Sequence, residues 1–120
     1  MTASRILLVD DEIAIINVVN HWLENAGYET TTCYSADEAA DKILNIEYDV
    51  LFSDVIMPGN LNGFILAELA IKEQPKIKIL LASGYTDGLE NNTKFDFEIL
   101  SKPYRKQYLL DKIKKLFEKS

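Results

Sequence analysis

Four short stretches of this chain each place a chemically useful side chain where an apolar run ends. Asp54 follows Val50-Leu51-Phe52-Ser53, and Asp10 and Asp11 follow Ile6-Leu7-Leu8-Val9. Ser83 follows the run from Ile77 to Ala82, and Lys102 comes just after Phe97 to Leu100. A lone carboxylate at the end of a buried strand is costly unless something pairs with it. Three carboxylates brought together raise one another's pKa unless a cation joins them. All-oxygen ligands with room for water favour Mg²⁺, which takes one or two carboxylates plus phosphate oxygens. A carboxylate beside such an ion can act as a nucleophile toward a phosphoryl group, forming an aspartyl-phosphate. The metal and a lysine would neutralise the transferring group, and a hydroxyl would hydrogen-bond one of its oxygens.

Each of these residues also has an ordinary reading. Asp10 or Asp11 could cap the helix that follows, Ser83 with Gly84 could form a simple turn, and Lys102 before Pro103 could be an exposed loop lysine. The case for chemistry therefore rests on the elements that bring them together. Val50 to Phe52 has no polar face, the mark of a strand buried on both sides of a parallel sheet. Arg5 to Val9 is a second such strand, and Tyr28 to Cys33, alternating and rich in Thr, suits a sheet edge. Ile77 to Ala82 and Phe97 to Leu100 complete the strands.

Between the strands, apolar residues recur at helical spacing. Ile15, Val18, Val19, Trp22, Leu23 and Ala26 form one stripe, with Gly27 as C-cap and Trp22 read as core. Ala36, Ala39, Ala40, Ile43 and Leu44 follow a Ser35–Glu38 capping box. Phe64 to Ile71 forms a third helix ended by Pro75, after a turn through Gly59, Asn60, Asn62 and Gly63; Tyr108, Leu109, Ile113 and Leu116 face inward from the last. Residues 87–94 are a weak helix, since Gly88, Asn91, Asn92 and Thr93 lower propensity. Alternating strands and helices imply a parallel sheet covered on both faces. Right-handed crossovers select a flavodoxin-like (βα)5 doubly wound α/β fold, strand order 2-1-3-4-5, as one domain over residues 1–120. Strands 1 and 3 then adjoin at the topological switch point, so Asp10, Asp11 and Asp54 share one crevice with Ser83 and Lys102 at its rim.

Composition narrows the function classes. A formal charge of −6 over 120 residues disfavours direct nucleic-acid binding. No apolar run approaches a membrane span, and the N-terminus lacks a signal-peptide core. The single cysteine, Cys33, excludes an internal disulfide and fits a reducing compartment, so the expected location is cytoplasmic. Seven of the 13 basic residues lie between Lys102 and Lys119, read as the solvated face of the last helix.

Ile6-Leu7-Leu8-Val9-Asp10-Asp11-Glu12, Ser53-Asp54-Val55-Ile56-Met57-Pro58, Leu81-Ala82-Ser83-Gly84 and Leu100-Ser101-Lys102-Pro103, in this order, resemble the receiver domain of two-component response regulators over essentially the whole chain. The resemblance implies that Asp54 is the phosphoacceptor, supplied by a histidine kinase or a histidine phosphotransfer protein. It implies that Asp10 and Asp11 hold Mg²⁺, Asp11 more directly, together with Asp54 and the backbone carbonyl of Ile56. Ser83 resembles the switch hydroxyl, Lys102 the lysine that pairs with the phosphoryl group, and a cis Lys102–Pro103 peptide is expected. Ile56 and Tyr85 occupy positions that tune dephosphorylation. Phosphorylation would switch the surface formed by the weak helix, the fifth strand and the last helix, in a monomer or a phosphorylation-dependent dimer. Two departures stand out. Ile99 occupies the place of the family's switch aromatic, leaving Tyr104 as a candidate for part of the recognition surface, and the loop from Met57 to Gly63 is one residue longer than the commonest pattern. That longer loop resembles receivers of hybrid sensor kinases as well as free-standing ones.

The resemblance implies a phosphoacceptor module and no dedicated enzyme, although self-phosphorylation and self-dephosphorylation are catalytic acts. An aspartyl-phosphate phosphohydrolase wants a second acid two residues after the nucleophile, where this chain has Ile56. A flavin binder needs a phosphate-cradling loop after strand 1, where Asp10-Asp11-Glu12 places negative charge. A degenerate receiver that binds partners without phosphorylation is the remaining alternative, and the full set of acids, hydroxyl and lysine weighs against it. Since the chain stops just past its last helix, no attached output domain is expected; a stand-alone regulator, a relay intermediate and a receiver cut from a larger protein all stay open.

Overall fold

The computed structural model describes residues 4–57, 62–84 and 97–118. The parallel strands β1 (Arg5–Val9), β2 (Glu29–Cys33), β3 (Val50–Asp54), β4 (Lys78–Ser83) and β5 (Glu98–Ser101) form one sheet in the order β2-β1-β3-β4-β5. The helices are α1 (Ile13–Asn25), α2 (Ala36–Asn45), α3 (Gly63–Glu73) and α4 (Lys106–Glu118). This is the expected flavodoxin-like architecture. The weak helix over 87–94, Tyr85, Gly59 and Asn60 lie outside the described residues. Among the described residues no helix is long and apolar enough to cross a membrane.

Alternation along the strands divides the interior into two cores. Leu7, Val9, Leu51 and Leu81 face Ala39 and Ile43 of α2 and Leu66, Ala67 and Ala70 of α3. Ile6, Leu8, Phe52, Leu80 and Leu100 face Ile16, Val19 and Leu23 of α1 and Leu109, Ile113 and Leu116 of α4. A strand with buried partners on both faces has no polar side to show, which is why β1 and β3 are written as continuous apolar runs. Ile79, Leu81 and, by alternation, Ser83 belong to the α2–α3 face of the sheet, as does Ile99. Leu80, Leu100 and, by the same alternation, Asp54 belong to the α1–α4 face.

Several expected core positions are corrected. Val18 is 48% exposed, Leu44 58% and Tyr108 53%; Ala26 is exposed as well, and Trp22 is only partly buried. The buried stripe of α1 is Ile16, Val19 and Leu23. A helix lying on a sheet buries a stripe of limited width, so the apolar residues beside it remain on the flanks. Tyr108 instead lies under the ammonium of Lys112, 5.6 Å from the ring centre.

The helix ends follow their chemistry. Gly27, with φ +98°, lets the chain leave α1 in a conformation other residues resist. Ser35 Oγ accepts from the Glu38 amide at 3.1 Å, and the Glu38 carboxylate returns to accept from Tyr34, one residue before the usual capping-box partner. At the opposite end of the sheet from the acids, the Gln74 side chain accepts from the Tyr48 amide (2.8 Å) and donates to the carbonyls of Ile43 (2.8 Å) and Ile46 (2.6 Å). One side chain thereby ties the end of α3 to the end of α2 and the entry to β3. Burial, and then the neighbouring Glu38, pushes the Cys33 thiol up to about 12, leaving it protonated and unreactive.

Candidate functional site

Asp54 ends β3 between the C-terminal ends of β1 and β4, with Val9 beside Ser53 and Ala82 beside Asp54. Its side chain is one-tenth exposed. Its carbonyl accepts from Ser53 Oγ at 2.9 Å, and the chain returns at once when Gly63 donates its amide to Val55 O at 2.8 Å. Asn62 starts α3 by accepting from the Ile65 amide at 2.9 Å. Polar Asn before an apolar helical run is an N-cap signal, and it places the start of α3 within the stretch expected to be a turn.

Asp10 is almost fully buried. One carboxylate oxygen accepts from the Glu12 amide at 2.9 Å, so the capping alternative is partly realised: Asp10 shapes the turn into α1. The other oxygen accepts from Lys102 Nζ at 2.9 Å, and the same ammonium donates to Asp54 Oδ2 at 3.1 Å. Lys102 is thus no exposed loop lysine. Its amide donates to Ser83 O at 2.9 Å, and the Lys102–Pro103 peptide is cis. Asp11 is exposed at the edge of the pocket. Ser83 is buried at the end of β4, opposite Ser101. Ile56 follows β3 with its side chain 54% exposed at the mouth.

The electrostatics explain why this cluster needs a cation. Burial raises the pKa of Asp54; Lys102 pulls it back, while Asp10 and Asp11 raise it further. For Lys102, burial works against the ammonium, but the hydrogen bond to Asp10 and the charge of Asp54 outweigh it, and the net shift is upward. An acid whose folded pKa is raised binds its proton more tightly in the folded protein than in the unfolded chain. Its ionisation therefore opposes folding, with the penalty absent below the unfolded carboxylate range and fully present above the folded pKa. Asp54→Asn, nearly isosteric and uncharged, is expected to melt at higher temperature than wild type at pH 7 in chelator. That advantage should shrink as the pH falls through the raised pKa of Asp54 and its carboxyl takes up a proton. A lower melting temperature for Asp54→Asn at pH 7 would contradict this balance.

One carboxylate oxygen from each of Asp10, Asp11 and Asp54 lies within 4.8 Å of the others. Opposite ligands of an octahedral Mg²⁺ are about 4.2 Å apart, so a small side-chain adjustment or an intervening water brings this donor set to an ion. The set is hard, anionic and all-oxygen, which suits Mg²⁺.

Tyr104 completes the inner wall. Its ring packs on Phe52, two residues before Asp54, with centroids 5.6 Å apart and planes at 58°. Burial, and then the charges of Asp10, Asp54 and Glu12, push its phenol well above the ordinary range, so it stays neutral.

The sequence profile of the response regulator receiver domain matches residues 6–114. The chain belongs to the response regulator receiver family. Among solved structures the receiver is similar to a CheY-like receiver domain protein from Methanospirillum hungatei JF-1, at 36% identity and a TM-score of 0.88, covering 98% of this chain and 96% of that one. It is also similar to TrrA of Thermotoga maritima, solved in complex with Mg²⁺ and BeF, at 32% identity and a TM-score of 0.84, over 94% and 98% of the two chains. Among characterised relatives, the regulatory protein VanRB of Enterococcus faecalis is 31% identical over 97% of this chain, and CpdR of Brucella abortus 28% identical over 93%. The receiver spans 53% of VanRB and 95% of CpdR. The structure gathers Asp10, Asp11, Asp54 and Lys102 at one end of the receiver's sheet, with Ser83 at the end of the neighbouring strand. The contact of Lys102 with Asp10 and the seat of Tyr104 were not anticipated from sequence.

Proposed function

We propose that this receiver accepts a phosphoryl group on Asp54 from a phosphohistidine of a histidine kinase or a histidine phosphotransfer protein, in a Mg²⁺-dependent reaction. The observation that supports this most directly is the bridge from Lys102 to both Asp10 and Asp54 inside a cluster of three carboxylates. An oxygen of Asp54 attacks phosphorus, the phosphorus–nitrogen bond of the donor breaks, and the electron pair leaves on the imidazole nitrogen. Mg²⁺, held by Asp10, Asp11, Asp54 and the Ile56 carbonyl, would neutralise charge on the phosphoryl oxygens. Lys102 exchanges a carboxylate for a phosphoryl oxygen, and Ser83 offers its hydroxyl from the adjoining strand end. The change at Asp54 and Ser83 then passes to the surface around β5 and α4. The protein acts as a signalling module in the cytoplasm, with self-phosphorylation from small donors as its own catalytic contribution.

Incubation with acetyl phosphate and Mg²⁺ followed by intact-mass measurement tests this. Wild type is expected to gain one phosphoryl group, and Asp54→Asn and chelated wild type none. No gain in wild type, under conditions that modify another receiver, would overturn the proposal.

A further inference from the structure

A groove of about 520 Å³ runs beside the acid pocket between α1 and the turn after β5, and Lys102, Tyr104 and Trp22 line it together. Lys102 forms part of the groove's wall and delivers its ammonium to Asp10 and Asp54. A lysine side chain has four rotatable methylene links and is costly to immobilise, so something has to limit where it goes. Its own backbone is anchored by Ser83 O. Beyond Pro103, the next side chain to return to the pocket is Tyr104, whose ring rests on Phe52 beneath Asp54. Ile99 cannot do this, because it packs on the α2–α3 face of the sheet.

We infer that Tyr104 is a positioning residue for Lys102, its ring walling the groove beside the lysine so that the ammonium is held at Asp54. The inference rests on the phosphoacceptor reading above. The ring, and not the hydroxyl, carries the role, because the contact that seats Tyr104 is the one with Phe52. Shortening the side chain widens the groove that Lys102 also lines, giving the lysine more room to leave Asp54. Misplacing a charge-stabilising group by about 1 Å can slow a reaction about a hundredfold.

The test is a double-mutant cycle on the rate at which Asp54 is phosphorylated from acetyl phosphate with Mg²⁺, followed by intact mass. Tyr104→Leu keeps apolar bulk and is expected to slow transfer about tenfold, whereas Tyr104→Phe stays within about twofold of wild type. In a Lys102→Met background, Tyr104→Leu should have no further effect, because the group it positions is gone. An equal slowing in both backgrounds would mean that Tyr104 acts independently of Lys102, and would overturn the inference. So would a Tyr104→Leu rate equal to wild type, or a Tyr104→Phe rate as low as that of Tyr104→Leu. Failure of wild type itself to take up a phosphoryl group would instead overturn the phosphoacceptor reading. Thermal melts of each variant distinguish slowed transfer from lost folding.

Discussion

Lys102→Met is expected to bind Mg²⁺ about tenfold more tightly than wild type while acquiring a phosphoryl group at least about a hundredfold more slowly. The two effects have opposite signs because the lysine plays two parts. Its ammonium lies 2.9 Å from Asp10 and 3.1 Å from Asp54, where it balances much of the charge that would attract an ion. At an effective dielectric near 20, one unit charge at 4 Å is worth about 4 kcal/mol. Only part of this is recovered on removing the lysine, since the side chain can swing aside when an ion enters. A tenfold gain, about 1.4 kcal/mol, is the share expected to remain. In the transfer proposed above the same ammonium moves to the phosphoryl oxygens, and losing one such contact costs about two to three powers of ten. Calorimetric titration with Mg²⁺ and the mass assay read the two effects separately. A misfolded variant would lose both, so tighter metal binding with slower transfer is a specific signature. Unchanged Mg²⁺ affinity would show that the bridge to Asp10 does not hold in solution.

Gly63→Ala is expected to be the most damaging glycine-to-alanine change among the described residues, destabilising the fold by at least about 3 kcal/mol. A methyl at Gly63 would stand 2.3 Å from the Asp54 carbonyl oxygen and 2.8 Å from Val55 Cα. Both neighbours are backbone, so no side chain can rotate out of the way. Either α3 withdraws from β3, giving up the 2.8 Å bond from Gly63 N to Val55 O, or the end of β3 moves and takes Asp54 with it. The second route predicts slow phosphorylation even in whatever fraction folds. Denaturant unfolding combined with the mass assay tests both parts. A variant within about 1 kcal/mol of wild type would show that α3 can shift without disturbing the sheet.

The strands, their order and the meeting of the acids were readable from the sequence for one physical reason. A strand packed on both faces is a run of apolar residues, and such a run has a visible end where Asp10, Asp54, Ser83 and Lys102 sit. Right-handed crossovers then leave little choice of order. The helices were less transparent, because Val18, Leu44 and Tyr108 satisfy the spacing of an inner face yet fall on its margins. Spacing gives the direction of a stripe but not its width. Contacts distant in sequence were not readable at all. Gln74 binds backbone groups 26, 28 and 31 residues away. Lys102 reaches Asp10 across 92 residues, and charge complementarity alone could not choose Asp10 over Asp11. What selects Asp10 is burial: it is enclosed, and Asp11 faces solvent.

The alternation of the strands places Asp54 on one side of the sheet, where Lys102 also lines the groove beside α1, and Ser83 and Ile99 on the other. On the function proposed above, arrival and departure of the signal would use separate doors. A donor would approach from the α1–α4 flank, where Trp22 and Tyr104 line a groove, while β4, which ends in Ser83, carries Ile79 and Leu81 on the opposite flank. Substitutions around the first door can change how often the message is written without changing what it says, and substitutions behind the second can do the reverse. Such a layout would let sender and listener be altered independently, with the sheet as the partition between them.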